Sequence, residues 1–268
     1  MLPHERARRN AALFDRLAPS YDTLGFLTLA AQVFAAHVPV RTGDAVLEVA
    51  AGTGTVALAL ATRVGPGGEV VATDLAPQMV AWGQRRARAE SSAPVRFEVA
   101  DAGALPFPQA RFDRVVCASG LFFMPDMTGA LREWRRVLQP GGTVAFSSFG
   151  RGLLGELPGL WRETLAGAGL QPGSPPLGRI PSPEAARALL DEAGFEPTEV
   201  TRLDLSYTLP SPEARWADIE AGLEGAPLHD LGPGPKEAWR DAHLAQLRAA
   251  FSWPLTVPVP LIVASGRR

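Results

Sequence analysis

The stretch Val46-Leu47-Glu48-Val49-Ala50-Ala51-Gly52-Thr53-Gly54-Thr55-Val56-Ala57 decides how this chain is read. An apolar run interrupted by one acid passes into small residues and glycines, then into a helix-like pattern. A strand that turns through glycines into a helix offers backbone N–H groups and the positive end of the helix to a polar or anionic ligand. Gly52, Gly54 and Ala57 satisfy the spacing G-x-G-x-x-G/A, and Asp74 follows 20 residues after Gly54 at the end of the next apolar run. By itself this is a dinucleotide fingerprint, in which the acid binds the ribose hydroxyls. Two further acids point beyond it. Glu48 lies inside the strand, where a carboxylate is costly unless it orients the turn or meets a cationic group. Asp101 ends a third run as Asp74 ends the second, so both reach the carboxyl-terminal rim where open α/β sheets bind ligands. A helix or turn cap would explain either acid singly; together they describe a pocket for a ribose and a purine.

Working outward, strands are expected at Ala45–Val49, Glu69–Thr73, Val95–Ala100, Phe112–Cys117 and Thr143–Ser148, with helices at Thr55–Arg63, Pro77–Glu90 and Thr128–Leu138 between them. Gln139–Gly142, "QPGG", stops the last helix. This alternation predicts an α/β fold, a Rossmann-like doubly wound, mostly parallel sheet. Two helices, His4–Leu17 and Leu24–His37, precede the sheet, so residues 1–40 form a helical cover and 41–150 the core. Residues 151–268 begin with a Gly- and Pro-rich excursion over the ligand edge that carries a short helix near Leu160–Ala168. Helix Pro183–Ala193, strand Glu196–Tyr207, helices Pro212–Gly222 and Pro235–Phe251 and a final strand in "VPLIVASGRR" follow. The late strands add an antiparallel edge at the C-terminal end of the sheet. The whole, residues 1–268, is read as one domain with a helical cap.

Composition narrows the function. At 268 residues and 46% apolar, the chain buries a full core, and a net charge of -2 without charge blocks disfavours nucleic acid as a partner. A small molecule is the expected partner. Lys236 is the sole lysine, and Cys117, the sole cysteine, permits neither a disulfide framework nor a cysteine-based zinc site; no metal ligands are assigned. The longest apolar stretch, Phe26 to Val40, contains Gln32 and His37 and falls short of the ~18 residues that span a bilayer. Together with a charged N-terminus unlike a signal peptide, this leads us to expect a cytoplasmic protein without membrane insertion.

At this point the chain resembles the class I S-adenosylmethionine-dependent methyltransferases. "VLEVAAGTG" is similar to their first motif and "VVATDLAPQMV" to the second. "VADAGALPFPQARFDRVVCASGLFFMPD" is similar to the third and fourth, and "LREWRRVLQPGGTVAFSSF" to the last. Within the class, "FDRLAPSYD" (Phe14–Asp22), Ala50 in place of the first motif glycine, and "LPFPQARFD" (Leu105–Asp113) are similar to the ubiquinone and menaquinone C-methyltransferases. One departure stands out: those enzymes carry an arginine-asparagine pair after Gly-Leu, where this chain has Phe122 and Phe123.

The resemblance implies a seven-stranded fold, S-adenosylmethionine as cofactor and S-adenosylhomocysteine as product, with a set of roles. The backbone of Ala50, Ala51, Gly52, Thr53 and Gly54 lies against the methionyl part, and Glu48 faces its ammonium. Asp74 takes the ribose hydroxyls, Leu75 and Met79 pack on the adenine, and Asp101 with the amide of Ala102 reads the base. Ala118 offers its carbonyl to the methionyl amine. Tyr21 either folds over the cofactor or is a core tyrosine between two helices. The acceptor is expected to be small and apolar or aromatic. Phe122, Phe123, Trp161, Trp216 and Trp253 are candidates to line its pocket, although core packing is their default. His229 and His243 fall in the late segment expected to cover it, but no base is assigned. Competing readings are an NAD(P)-dependent oxidoreductase and a non-catalytic binder of the same cofactor. Against the first, neither Tyr21 nor Tyr207 is followed four residues later by lysine.

Overall fold

The computed structural model describes residues 3–90, 94–167, 169–170, 176–228 and 232–268. Seven strands form one sheet: β1 (Ala45–Val49), β2 (Glu69–Asp74), β3 (Val95–Val99), β4 (Phe112–Cys117), β5 (Leu138–Phe149), β6 (Thr198–Leu209) and β7 (Leu255–Arg267). Their order is β3-β2-β1-β4-β5-β7-β6. The pairs among β1 to β5 are parallel, whereas β7 runs antiparallel to both β5 and β6. The final strand therefore supplies the expected antiparallel end, one place in from the edge strand β6. Chain order reverses between β1 and β4, which opens a crevice above their carboxyl ends.

Nine helices surround the sheet among the described residues: α1 (Pro3–Leu17), α2 (Gly25–His37), α3 (Thr55–Val64), α4 (Pro77–Glu90), α5 (Met127–Val137), α6 (Leu157–Gly167), α7 (Pro183–Glu192), α8 (Pro212–Ala221) and α9 (Pro233–Ala250). Their starts follow local chemistry. Asp126, Ser182 and Ser211 cap α5, α7 and α8 by accepting from the amides of Gly129, Ala185 and Ala214, and a proline follows each serine at the first helical position. Residues Val46 to Val49 are all buried because helices cover both faces of the sheet. A second, smaller cluster of Leu17, Ala18, Ala76 and Met79 fastens the end of α1 to the start of α4, directly over the tip of β2.

One expected boundary shifts. Gln139–Gly142 does end α5, but it then runs on as the first part of β5. The partners of Phe112 and Arg114 on β4 are Leu138 and Thr143, so the four intervening residues bulge out of the ladder. They are held from outside it: the amide of Gly141 donates to Arg268 O (3.2 Å), and the amide of Arg268 donates to Gly142 O (2.9 Å). Residues at the far end of the sequence satisfy backbone groups that local reading assigns to a turn. The short helix expected near Leu160–Ala168 is α6, and a 3-10 turn at Pro176–Arg179 follows it; residues 168 and 171–175 lie outside the described residues.

Gly54, the N-cap of α3, has φ +87°, and a Cβ there would stand 2.3 Å from the Phe97 ring. Gly54→Ala therefore meets both a left-handed backbone penalty and a clash with a buried ring. We expect about 2–4 kcal/mol of lost stability in urea unfolding. Measured against the Phe97→Ala variant, adding Gly54→Ala should cost only the backbone part, because the clash is gone.

Candidate active site

The glycine turn alternates its backbone hand. Ala50 (φ 51°), Gly52 (φ 56°) and Gly54 (φ 87°) all sit in the left-handed region, which at Ala50 costs about 1–2 kcal/mol. Four hydrogen bonds hold the turn in place. The Ala51 amide donates to Thr73 O (2.9 Å), and the Gly54 amide donates to Ala51 O (2.9 Å). The Asp74 carboxylate accepts from Gly52 N through Oδ2 (2.8 Å) and from Ala76 N through Oδ1 (2.9 Å). Across the crevice the β4 turn comes equally close: a Cβ on Gly120 would lie 2.7 Å from that of Ala50. Ser119 (φ 51°) donates its amide to Ser147 Oγ (3.1 Å), which orients the peptide after Ala118.

Above these turns lies a cleft with two lobes. The larger, about 780 Å³ including open solvent, is lined by Asp74, Leu75, Met79, Asp101 and Ala102 from the tips of β2 and β3, and by Phe123, Met124 and Pro125 after β4. Ala7, Asn10, Ala11 and Phe14 of α1 roof it. The smaller lobe holds Glu48, Ala51, Thr53, Thr55 and Val56 beside Leu27, Thr28 and Ala31 of α2. Tyr21, Ala50, Gly52, Ala118 and Ser119 border both. Every expected site residue except Gly54 thus faces one lobe or the other; Gly54 faces Phe97 instead. Tyr21 is half-buried, borders both lobes and packs edge-on to Phe14 (6.2 Å between centroids).

Burial controls the electrostatics. Glu48 is 1% exposed and its Oε2 has no hydrogen-bond partner among the described residues. Desolvation holds its carboxyl well above the ordinary range, relieved in part by the Ala57 amide in the first turn of α3 and worsened by the Asp74 charge. Asp74 is likewise raised by burial, against which its hydrogen bonds from Ala76 and Gly52 work. The Tyr21 phenol is pushed up by burial, then by Asp74 and Asp22, so it stays protonated. Burial raises the Cys117 thiol too, so it is no nucleophile. Asp101 is exposed and accepts from Gly103 N (2.8 Å).

Several partners escaped sequence reading. Arg86 of α4 donates to Thr55 Oγ1 (3.0 Å) and Thr53 O (3.3 Å) and pairs with Asp22 (3.4 Å), while Thr53 Oγ1 donates to Asp22 in a short contact. This network ties the Tyr21–Thr23 turn to the glycine turn. The "YD" element was a signal for it; Arg86 was not, lying among other arginines on an exposed helix. The aromatic candidates divide: Phe123 lines the cleft, but Phe122 is 1% exposed core. Trp161 and Trp216 pack edge-on to each other and around His243, and none of these three, nor Trp253, lines either lobe. His243 is fully buried, bonded to Thr164 Oγ1 (2.8 Å), with its pKa pushed down to about 4 by burial and Arg215. It is therefore structural rather than a base for the cleft, and His229 lies outside the described residues. Among the described residues of 151–251 none lines the cleft directly, and α6, α8 and α9 pack against one another.

Comparison with known proteins agrees with this geometry. A family profile described as a methyltransferase domain matches residues 46–142. The demethylmenaquinone methyltransferase of Thermus thermophilus is 36% identical over 208 residues, covering 68% of this chain and 91% of that protein. The ubiquinone/menaquinone biosynthesis C-methyltransferase UbiE of Bordetella parapertussis is 40% identical over 153 residues, 55% of this chain and 59% of that one. The chain thus spans about three fifths of the Bordetella relative's length. The YcgJ protein of Bacillus shares the fold with a TM-score of 0.61 at 20% identity, over 89% of this chain and 97% of that one. A match that covers nearly all of the Thermus protein, on a sheet of this order, makes the chain a member of the class I S-adenosylmethionine-dependent methyltransferases, close to the ubiquinone/menaquinone C-methyltransferase-like group.

Proposed function

We propose that the protein transfers a methyl group from S-adenosylmethionine to a small apolar or aromatic acceptor. The observation that carries this is the buried, unpartnered Oε2 of Glu48 in the lobe beside the glycine turn. A buried carboxylate with a free oxygen calls for a cation, and the ammonium of a methionyl group satisfies it. A dinucleotide would instead bring its pyrophosphate to a turn already flanked by Glu48 and Asp74, which disfavours the oxidoreductase reading.

In this reading the smaller lobe takes the methionyl end, with Glu48 and the Ala118 carbonyl on its amine and the amides of Ala50 to Gly54 beside it. Asp74 keeps acceptor capacity on both oxygens for ribose hydroxyls, Leu75 and Met79 enclose the base, and Asp101 with Ala102 reads its edge. When bound, the cofactor supplies a methyl group activated on a sulfonium. The chain's own residues align the acceptor, exclude water and hold the turns rigid. Among the described residues the titratable side chains lining the cleft are Tyr21, Asp22, Glu48, Asp74 and Asp101; each has a binding or bridging task in this reading, and none is assigned as a base. Phe14, Phe123, Met124 and Pro125 favour a flat apolar ring, and the quinone-named relatives put reduced quinones first among the candidates.

Calorimetry should show S-adenosylmethionine and S-adenosylhomocysteine binding and NAD not binding. Asp74→Ala should remain folded yet bind S-adenosylhomocysteine about 2–4 kcal/mol more weakly, since it loses charge-assisted hydrogen bonds and frees the Gly52 amide. Comparable affinity for NAD would overturn the assignment. Turnover of any acceptor in a screen of quinols, phenols and small amines, read by mass spectrometry, separates an enzyme from a mere binder.

A pH effect follows from Glu48. Its raised pKa keeps a proton on the free protein to higher pH than usual; a bound ammonium stabilises the carboxylate and lowers that pKa. Binding should thus release protons, and affinity should climb with pH between the bound and free pKa values, up to where the ligand's own amine titrates. Repeating the calorimetry in buffers of different ionisation enthalpy measures the release. Glu48→Gln should abolish it and flatten the pH dependence; proton uptake in the parent protein would contradict the placement.

A further inference from the structure

The loop from β4 to α5 forms one wall of the larger lobe through Phe123, Met124 and Pro125. Its own backbone supplies only tight 3-10 bonds, from Phe123 N to Gly120 O (3.1 Å) and Met124 N to Leu121 O (3.0 Å). Four successive carbonyls are met by side chains from elsewhere in the chain. Arg179 Nη1 donates to Phe122 O (3.0 Å) and Met124 O (2.5 Å), Arg179 Nη2 donates to Pro125 O (3.2 Å), and Asn10 Nδ2 of α1 donates to Phe123 O (3.4 Å).

Among the described residues no carboxylate pairs with Arg179, so the guanidinium has these carbonyls as its polar partners. It is anchored where it can impose a position. The next residue, Ile180, is fully buried, and its carbonyl accepts from Ser148 Oγ (3.2 Å) near the end of β5. A rigid path therefore runs from the central sheet through Ile180 and Arg179 to the cleft wall. The planar fork matters, because two nitrogens diverge to three carbonyls, a geometry that a lysine ammonium does not reproduce. The nucleoside side of the lobe, at Asp74, Leu75, Met79, Asp101 and Ala102, rests on other loops that Arg179 does not touch.

We propose that Arg179 is a positioning residue that fixes the Phe123–Pro125 wall and thereby sets which acceptors fit, leaving cofactor binding largely to the other loops. The inference rests on the methyl-transfer reading for its acceptor arm and stands apart from it for its loop arm.

The test compares the parent protein with Arg179→Lys and Arg179→Gln. S-adenosylhomocysteine affinity, by calorimetry, should stay within about threefold. Amide hydrogen exchange at 121–126 should quicken at least tenfold in both variants, with the lysine failing to restore protection. With 1,4-naphthalenediol, its 2-alkyl derivatives and catechol as graded acceptors, KM should rise about tenfold for the preferred one with a smaller change in kcat, and the ranking should change. Unaltered exchange at 121–126 would overturn the positioning role whether or not any acceptor is turned over. Faster exchange with KM and ranking unchanged, or cofactor affinity falling as far as acceptor affinity, would overturn the specificity role. If S-adenosylhomocysteine binds but the parent protein methylates nothing under any condition, the methyl-transfer reading fails, and with it the acceptor role assigned to Arg179.

Discussion

The bridge made by the Asp74 carboxylate, from Gly52 N to Ala76 N, is the contact on which the rest of the site depends. It fixes the turn after β1 to the turn after β2, adding to the Ala51 N to Thr73 O bond by which the ladder itself joins them. Ala76 and Met79 then bed against Leu17 and Ala18, so the same junction seats the N-terminal helix over the cleft. Asp15 extends the seat by accepting the Gln78 amide (2.7 Å). The position of α1 over the larger lobe is a consequence of where β2 ends.

That bridge leaves an uneven distribution of charge. Glu48 is buried and Asp74 half-buried within one crevice, and each raises the pKa of its neighbours. No stability argument asks for Glu48: an apolar residue on β1 would avoid the desolvation cost and the unpaired oxygen. Left-handed Ala50 adds strain beside it. Sites that break local rules at a cost in stability are where function is expected, and here two such violations adjoin at the end of one strand.

The parallel half of the fold was legible because its signals are local. The apolar run of β1, the glycines that turn it into α3, and the acids after β2 and β3 all lie within a few residues of the elements they define. The site residues on the turns were legible for the same reason, aided by the motif resemblance. Arg86, Asn10 and Arg179 were not, since each acts on backbone or side chains about 30 or more residues away and nothing nearby marks an arginine that bonds carbonyls from one that is solvated. The start of β5 was misplaced because its first residues are held by the C-terminal Arg268. His243 and the late tryptophans were candidates for the cleft by chain order alone, with core packing the default for the tryptophans, and chain order does not report which apolar face a helix buries.

Those late helices share the main hydrophobic core and enclose a cluster of buried polar groups. Arg215, 1% exposed, pairs with Glu224 (2.6 Å), Asp218 beside them is raised to about 6 chiefly by burial, and Trp161 donates to Glu224 O (3.0 Å). Such a polar interior gives α6, α8 and α9 a defined packing without help from the cleft. Their influence on it passes through α8, which packs against the Tyr21–Thr23 turn, with Gly222 close to Leu24. Arg179, upstream of them, reaches the opposite wall. Among the described residues these links therefore reach the two walls that flank the lobes, at Tyr21–Thr23 and at Phe122–Pro125. Changes in the sequence after residue 150 can therefore reshape those walls while the Asp74 bridge, and the turns it joins, stay as they are.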